Sequence, residues 1–214
     1  MSFKVKNRQD AALRLVKELE IYKGTNAIVL AIPRGGIPIG HFIAQELRVP
    51  LEIILSKKIG YPNNPEFAIG SVTLQGVVVD DKFSTEFKDY IDKESKKILE
   101  ALKSKFALYM GNRKPADLTN KIVIIVDDGI ATGNTIMATI QSVKKSNPKK
   151  IIVAVPVAPK DTATKMEKLV DDFICLHVAD EFFGVGQFYE YFSQVSDEEV
   201  IHLLNKNRVV NILN

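Results

Sequence analysis

The chain has 214 residues, of which 46% are hydrophobic and 26% charged; these values are ordinary for a soluble globular protein and allow one sizeable α/β domain. The formal net charge of +3 suits small anionic substrates and, without a basic stripe interleaved with aromatics, does not argue for nucleic acid. A single cysteine, Cys175, rules out an internal disulfide, and no apolar run approaches membrane-spanning length. The expectation is a cytoplasmic protein, one domain over 1–214, that binds neither nucleic acid nor membrane.

In chain order, Ala12, Leu15, Val16 and Leu19 recur at helical spacing and predict a helix over Gln9 to Ile21. Ala27 to Ile32 reads as a buried strand that runs into Pro33-Arg34-Gly35-Gly36, followed by a helix through Phe42, Ile43 and Leu47. A small turn beside a helix start lets backbone N–H groups close on an anion, and Arg34 adds a permanent charge with a two-pronged fork. Leu51 to Leu55 is the next predicted strand, with Lys57 and Lys58 where it ends. The stretch from Tyr61 to Gly70 holds Pro62, Pro65 and Gly70 and has the composition of a mobile covering loop. Val77 to Val79 is a short strand, and Thr85 to Met110 a long lysine-rich helix with one apolar stripe. Ile151 to Val157 is another buried strand, with Lys160 just past it, then a short helix to Val170. Phe173 to Val178 closes the core and contains Cys175 as a structural thiol. The tail clusters aromatics, Phe182 and Phe183 among them, before a last helix starting near Ser196. No pair among His41, His177 and His202 has metal-ligand spacing. Alternating strands and helices predict a parallel sheet covered by helices on both faces, with ligands at the carboxyl ends of the strands. Arg34, Lys57, Asp127 and Lys160 all fall at such ends.

The most informative stretch is Lys121 to Thr135, K-I-V-I-I-V-D-D-G-I-A-T-G-N-T. Ile122 to Val126 reads as a strand buried on both faces. Asp127 and Asp128 end it, and the turn from Gly129 to Gly133 leads into a helix from Asn134. Strand, tight turn and helix aim unpaired N–H groups at one spot, where the helix dipole also favours a phosphate. Thr132 and Thr135 add hydroxyl donors. The two carboxylates repel a phosphate but accept hydrogen bonds from hydroxyls, so the combination suits a phosphorylated sugar with a free diol. A P-loop and a dinucleotide fingerprint both fail on spacing. Phosphatases with an aspartyl nucleophile place their two acids one residue apart, whereas Asp127 and Asp128 are adjacent.

The segment I-I-V-D-D-G-I-A-T-G-N-T resembles the phosphoribosyl-pyrophosphate (PRPP) signature of the type I phosphoribosyltransferases. With P-R-G-G-I-P-I-G, K-K-I-G, N-P-E-F-A-I-G and V-P-V-A-P, nearly the whole chain resembles the group called predicted phosphoribosyltransferases. The resemblance implies that Asp127 and Asp128 hold the ribose hydroxyls and that Gly129, Ile130, Ala131, Thr132, Gly133, Asn134 and Thr135 cradle the 5′-phosphate. Gly129 departs from the aliphatic residue usual there. Arg34, Gly35 and Gly36 would form the pyrophosphate loop, in which the bond entering Arg34 is the candidate for a cis peptide. Lys57 and Lys58 would reach the pyrophosphate. A small hood from about 178–195 would offer Phe182 or Phe183 for stacking on a base, with Lys160 meeting a 6-oxo group. Ala131 stands where 6-oxopurine enzymes often place an acid, so the signs for the base conflict. The family further implies Mg²⁺ carried by PRPP rather than by protein ligands, a homodimer, and transfer to a purine or related base in nucleotide salvage, releasing pyrophosphate and a nucleotide. The alternative reading is a PRPP- or nucleotide-sensing protein on the same fold without transfer.

Overall fold

The alternation of apolar residues along the strands decides how the layers form. The computed structural model describes residues 3–212, with side chains for all of these but 66 and 208–212. Five parallel strands, β1 (Ala27–Ala31), β2 (Leu51–Ile53), β6 (Ile122–Val126), β7 (Lys150–Pro159) and β8 (Asp172–Ala179), form one sheet in the order β2-β1-β6-β7-β8. Val29, Ala31, Ile124, Val126, Ile152 and Ala154 face one side. There they meet Leu15 and Leu19 of α1 (Arg8–Leu19) and Ile39, Ile43 and Leu47 of α2 (Gly36–Leu47), with Val200 and Leu204 of α7 (Asp197–Ile212) completing the layer. Ile28, Leu30, Val123, Ile125, Ile151 and Val153 face the other side, against Ile136, Ile140 and Val143 of α5 (Asn134–Lys144) and Met166 of α6 (Lys160–Glu167). A strand with both faces covered must be apolar at every position, which explains the unbroken β-branched runs. The parallel sheet and its two helical layers match the expectation.

The strand order places the chain's direction change between β1 and β6, whose last residues, Ala31 and Val126, are in register. In open parallel sheets the crevice beyond such a switch point receives ligands. Here the turns after β1 and β6 diverge from that crevice, so Pro33 to Gly36 and Asp127 to Gly133 become neighbours although about ninety residues separate them.

The stretch from Ser56 to Val79 corrects one expectation. It is a separate antiparallel sheet of β3 (Ser56–Tyr61), β4 (Asn64–Thr73) and β5 (Gly76–Val79), in the order β3-β4-β5. The supposed covering loop is a hairpin. Its glycines mark close backbone approach: a Cβ on Gly60 would lie 2.6 Å from the Pro65 carbonyl oxygen, and one on Gly70 would lie 2.6 Å from that of Val78. Ile59, Ile69 and Val72 pack this sheet on Ile91, Ile98 and Leu102 of α4 (Lys88–Met110). The long helix therefore begins later than the apolar stripe suggested, after a short α3 (Asp81–Ser84). α7 follows Ser196, whose hydroxyl accepts from the Glu199 amide at 3.2 Å. Among the described residues no helix is long and apolar enough to cross a membrane.

Candidate active site

The turn after β6 forms a recess of ≈140 Å³ lined by Asp127 and by 129–136. Gly133 caps α5 in the left-handed region (φ 79°), with no side-chain cap. Among the described residues, the amides from Ala131 to Ile136 have no hydrogen-bond partner. Ala131, Thr132, Asn134 and Thr135 are exposed, so these donors and both hydroxyls face the recess side. Amides without protein partners at a helix start bond to water or to a bound acceptor, and a phosphate supplies several oxygens at once.

Two residues assigned to the cradle do other work. Ile130 is buried and its amide donates to the Val157 carbonyl at 2.9 Å, so it ties the turn to β7 instead of offering an N–H. Gly129 takes φ 155°, and a Cβ there would meet Val185 Cγ1 at 2.7 Å. Glycine is needed at 129 for the tail to pack over the turn. Thr162 of α6 donates its hydroxyl to the Ala131 carbonyl at 3.0 Å and fixes the far side.

The two acids differ. Asp127 Oδ1 accepts from the Asp128 amide at 2.8 Å. Burial pushes the Asp127 carboxyl well above the usual carboxylate range, and the charge of Asp128 pushes it the same way. Asp128 has a cation: Nε and Nη2 of Arg8 both donate to its Oδ2, at 3.0 and 2.7 Å. Its carbonyl also accepts from the Tyr189 hydroxyl at 2.7 Å. Sequence reading missed Arg8 and Tyr189. Arg8 lies in the first turn of a helix with ordinary periodicity, and only its place among the few arginines could have drawn notice.

The turn after β1 lies against the same acids. The peptide entering Arg34 is cis, as the resemblance implied. A Cβ on Gly36 would lie 2.7 Å from the Val126 carbonyl oxygen, and one on Gly35 would fall 2.0 Å from Asp128 Oδ2. The Gly36 amide is given to the Ile32 carbonyl at 3.0 Å, so of the two glycine amides only that of Gly35 is open to a ligand among the described residues. Arg34 is half exposed and sits 3.7 Å from Asp197, which also receives Lys105 at 2.8 Å and the Tyr109 hydroxyl at 2.6 Å. Arg8, Arg34, Gly35 and Asp128 line a second recess of ≈290 Å³.

The remaining candidates scatter. Lys57 and Lys58 are in β3, not at a strand end, and successive strand residues face opposite ways. Lys58 lines a cavity of ≈360 Å³ together with Asn134, whereas exposed Lys57 is not among its walls. Lys160 begins α6 and pairs with Asp180 at 3.6 Å, both well exposed. Phe182 packs under the tail, its ring 5.5 Å from that of Phe188. Phe183 is 91% exposed and lines a different cavity, beside His177 and Phe3. His41 is buried and pairs with Asn207, and burial raises the Cys175 thiol to about 11, in keeping with structural roles for both.

Known proteins bear on this arrangement. The family model described as the phosphoribosyl transferase domain matches residues 5–192. A Mycobacterium tuberculosis protein named "putative phosphoribosyl transferase" is 35% identical over 204 residues, covering 94% of this chain and 46% of its own length. The chain thus spans about half the length of the curated relatives it matches. The crystal structure of TT1426 from Thermus thermophilus aligns with a TM-score of 0.88 at 29% identity, over 95% of this chain and 99% of that one. A hypothetical protein of Neisseria gonorrhoeae, solved with bound ppGpp, shares the fold with a TM-score of 0.52 at 15% identity, over 97% and 99% of the two chains. With a match running through both turns at the switch point, the chain belongs to the phosphoribosyl transferase domain family and has the fold of the type I phosphoribosyltransferases.

Proposed function

We propose that the protein transfers a 5-phosphoribosyl group from PRPP to a ring nitrogen of a base, a purine or a related heterocycle, and releases pyrophosphate. The observation that carries this reading is the row of unpartnered amides from Ala131 to Ile136 beside Asp127, facing the glycine turn of Arg34 across the switch point. The first element takes the terminal phosphate of the sugar, the acids take its hydroxyls, and the second element faces the anion leaving C1.

In the reaction the bond from C1 to the pyrophosphate oxygen breaks as the base nitrogen bonds to C1. Charge builds on the departing oxygen and a partial cation on the ribose ring. The cradle and the two acids hold the ribose still, which removes most of the entropic cost of alignment. Asp127 and Asp128 each accept a hydrogen bond from a ribose hydroxyl, Asp127 as an acid whose ionisation burial opposes. Arg34 and the Gly35 amide, on the side of the acids away from the cradle, would meet the leaving charge; Lys58, in the neighbouring cavity beside Asn134, would have to reach across to join them. Mg²⁺ would arrive on the phosphate oxygens of PRPP rather than on protein ligands, since burial opposes a charged Asp127 and Asp128 Oδ2 is already taken by Arg8. When bound it would neutralise pyrophosphate charge. The three-stranded sheet borders the start of α5 through Lys58 and residues 68–71, and it would shield C1 from water on that side.

Radiolabelled PRPP offered with a panel of bases tests the reading. Pyrophosphate release that depends on one base supports transfer; PRPP binding without turnover replaces it with a sensing role. Arg34→Ala should lower turnover about 10²–10³-fold while leaving affinity for a nucleoside 5′-monophosphate within a few-fold. Its ion pair to Asp197 is long and half exposed, so stability should barely change. Equal losses of turnover and monophosphate affinity would remove Arg34 from the leaving-group side.

A further inference from the structure

We propose that Arg8 is the positioning residue of the ribose-binding acid, and that it makes the orientation of Asp128 depend on the tail segment 188–193. The inference rests on the reading of Asp127 and Asp128 as the diol acceptors.

Three of the guanidinium's nitrogens are committed. Nε and Nη2 share Asp128 Oδ2, and Nη1 donates to the Ser193 carbonyl at 2.8 Å. The Phe192 ring lies 4.2 Å from the guanidinium carbon and covers its face. The pair is nearly dry, with the Arg8 side chain 10% and that of Asp128 14% exposed. Both N–H groups converge on one carboxylate oxygen. Among the described residues no N–H group donates to Oδ1, which is therefore the oxygen left for a sugar hydroxyl. Gly35 closes the other side: its missing Cβ is the space that the carboxylate occupies.

The anchor of Arg8 is the tail itself. Val5 donates to the Phe188 carbonyl at 2.9 Å, Glu190 to the Val5 carbonyl at 2.9 Å and Tyr191 to the Lys6 carbonyl at 3.0 Å. The residues entering α1 thus run as a short ladder along the tail, and Arg8 emerges one turn later. Tyr189, from the same segment, holds the Asp128 carbonyl. Tail, helix start and acid form one bonded unit, so a shift of the segment must carry Arg8 and turn the carboxylate. Around Asp128 the charged and titratable groups are Arg8 from α1, Asp127 from its own strand end, Arg34 from the turn after β1 and Tyr189 from the tail. Without Arg8, Asp128 faces Asp127 with its ion pair gone and Arg34, from the turn after β1, the remaining cation around it among the described residues.

The test is calorimetric titration of the full chain with ribose 5-phosphate, with Mg-PRPP and with inorganic phosphate, over a range of pH. Arg8→Ala should weaken ribose 5-phosphate about 10–100-fold yet leave inorganic phosphate unchanged, because phosphate uses only the cradle. The pH dependence of ribose 5-phosphate binding should move upward in Arg8→Ala, since the charge of Arg8 draws the raised Asp127 carboxyl back down. Arg8→Lys should restore that pH dependence but not the full affinity, since an ammonium lacks the fork. Tyr189→Phe should weaken the sugar phosphate and spare inorganic phosphate, as the tail's hold on the acid loosens. If Arg8→Ala does not fold, Arg8→Gln carries the same comparison. Equal loss for both ligands would make Arg8 a purely structural residue and overturn the proposal. So would an Arg8→Ala protein with the parent's affinities and pH profile. A parent that binds phosphate but neither sugar ligand would bring down the ribose reading, and this inference with it.

Discussion

Replacing Asp127 and Asp128 together by asparagine is expected to lower PRPP affinity about 10²–10⁴-fold, the loss of two hydrogen bonds to carboxyl acceptors at about 1.5–3 kcal/mol each. The single variants should separate, because the two environments differ. Asp127→Asn keeps an oxygen for the Asp128 amide and removes an acid whose ionisation burial opposes. The native pKa of Asp127 is raised, so the folded state binds its proton more tightly than the unfolded state does. That stabilisation is complete below the ordinary carboxylate value and is lost as pH rises through the raised one. Asp127→Asn should therefore match the parent's stability at low pH and exceed it once the parent's acid must ionise. Asp128→Asn should destabilise at neutral pH by up to about 3 kcal/mol, since it leaves the nearly buried Arg8 without a counter-charge. Thermal melts from pH 4 to 9, read beside PRPP titrations, check both halves. Full PRPP affinity in the double variant would end the diol assignment, and equal stability profiles for the two single variants would end the distinction between the acids.

Gly35→Ala should be nearly as damaging to binding, and for a reason that lies in space rather than in backbone conformation. Gly35 sits at φ −61° and ψ −35°, which alanine adopts freely. Its added Cβ would fall 2.0 Å from Oδ2 and 2.4 Å from Cγ of Asp128. A free side chain would rotate away. This one is pinned by Arg8, so the methyl group must break the pair or displace the turn. The expected outcome is a loss of about 2–4 kcal/mol of stability, in the range of breaking a buried ion pair, and at least about a hundredfold loss of ribose 5-phosphate affinity. Gly184→Ala is the matched control, because a Cβ there meets nothing within 4 Å and its φ of 165° is ordinary extended backbone. Chemical denaturation and titration of both variants decide it: a Gly35→Ala protein that behaves like Gly184→Ala would show that the carboxylate is free to move.

The features legible along the chain were contiguous ones. The β-branched runs of β1, β6 and β7, the acids that end β6 and the turn that opens α5 each lie within about fifteen residues, where strand and turn chemistry act locally. Their arrangement as neighbours at strand ends followed from the alternation of strands and helices, which leaves few topologies. Long-range pairing is invisible to such reasoning. Arg8 meets Asp128 across 120 positions and Tyr189 meets it across 61, and no periodicity links an arginine in the first helix to an acid just past the end of β6. The hairpin of β3 and β4 was hidden for the opposite reason. Gly60, Pro62, Pro65 and Gly70 look like breakers along the chain, and only the paired backbone shows that two of the glycines are there because another strand lies against them. Ile130 and Gly36 likewise sit inside recognisable motifs, yet their amides are given to Val157 and Ile32. A motif places a donor near a ligand; whether that donor is free depends on which other carbonyl the fold brings within reach, and that is a property of tertiary packing alone.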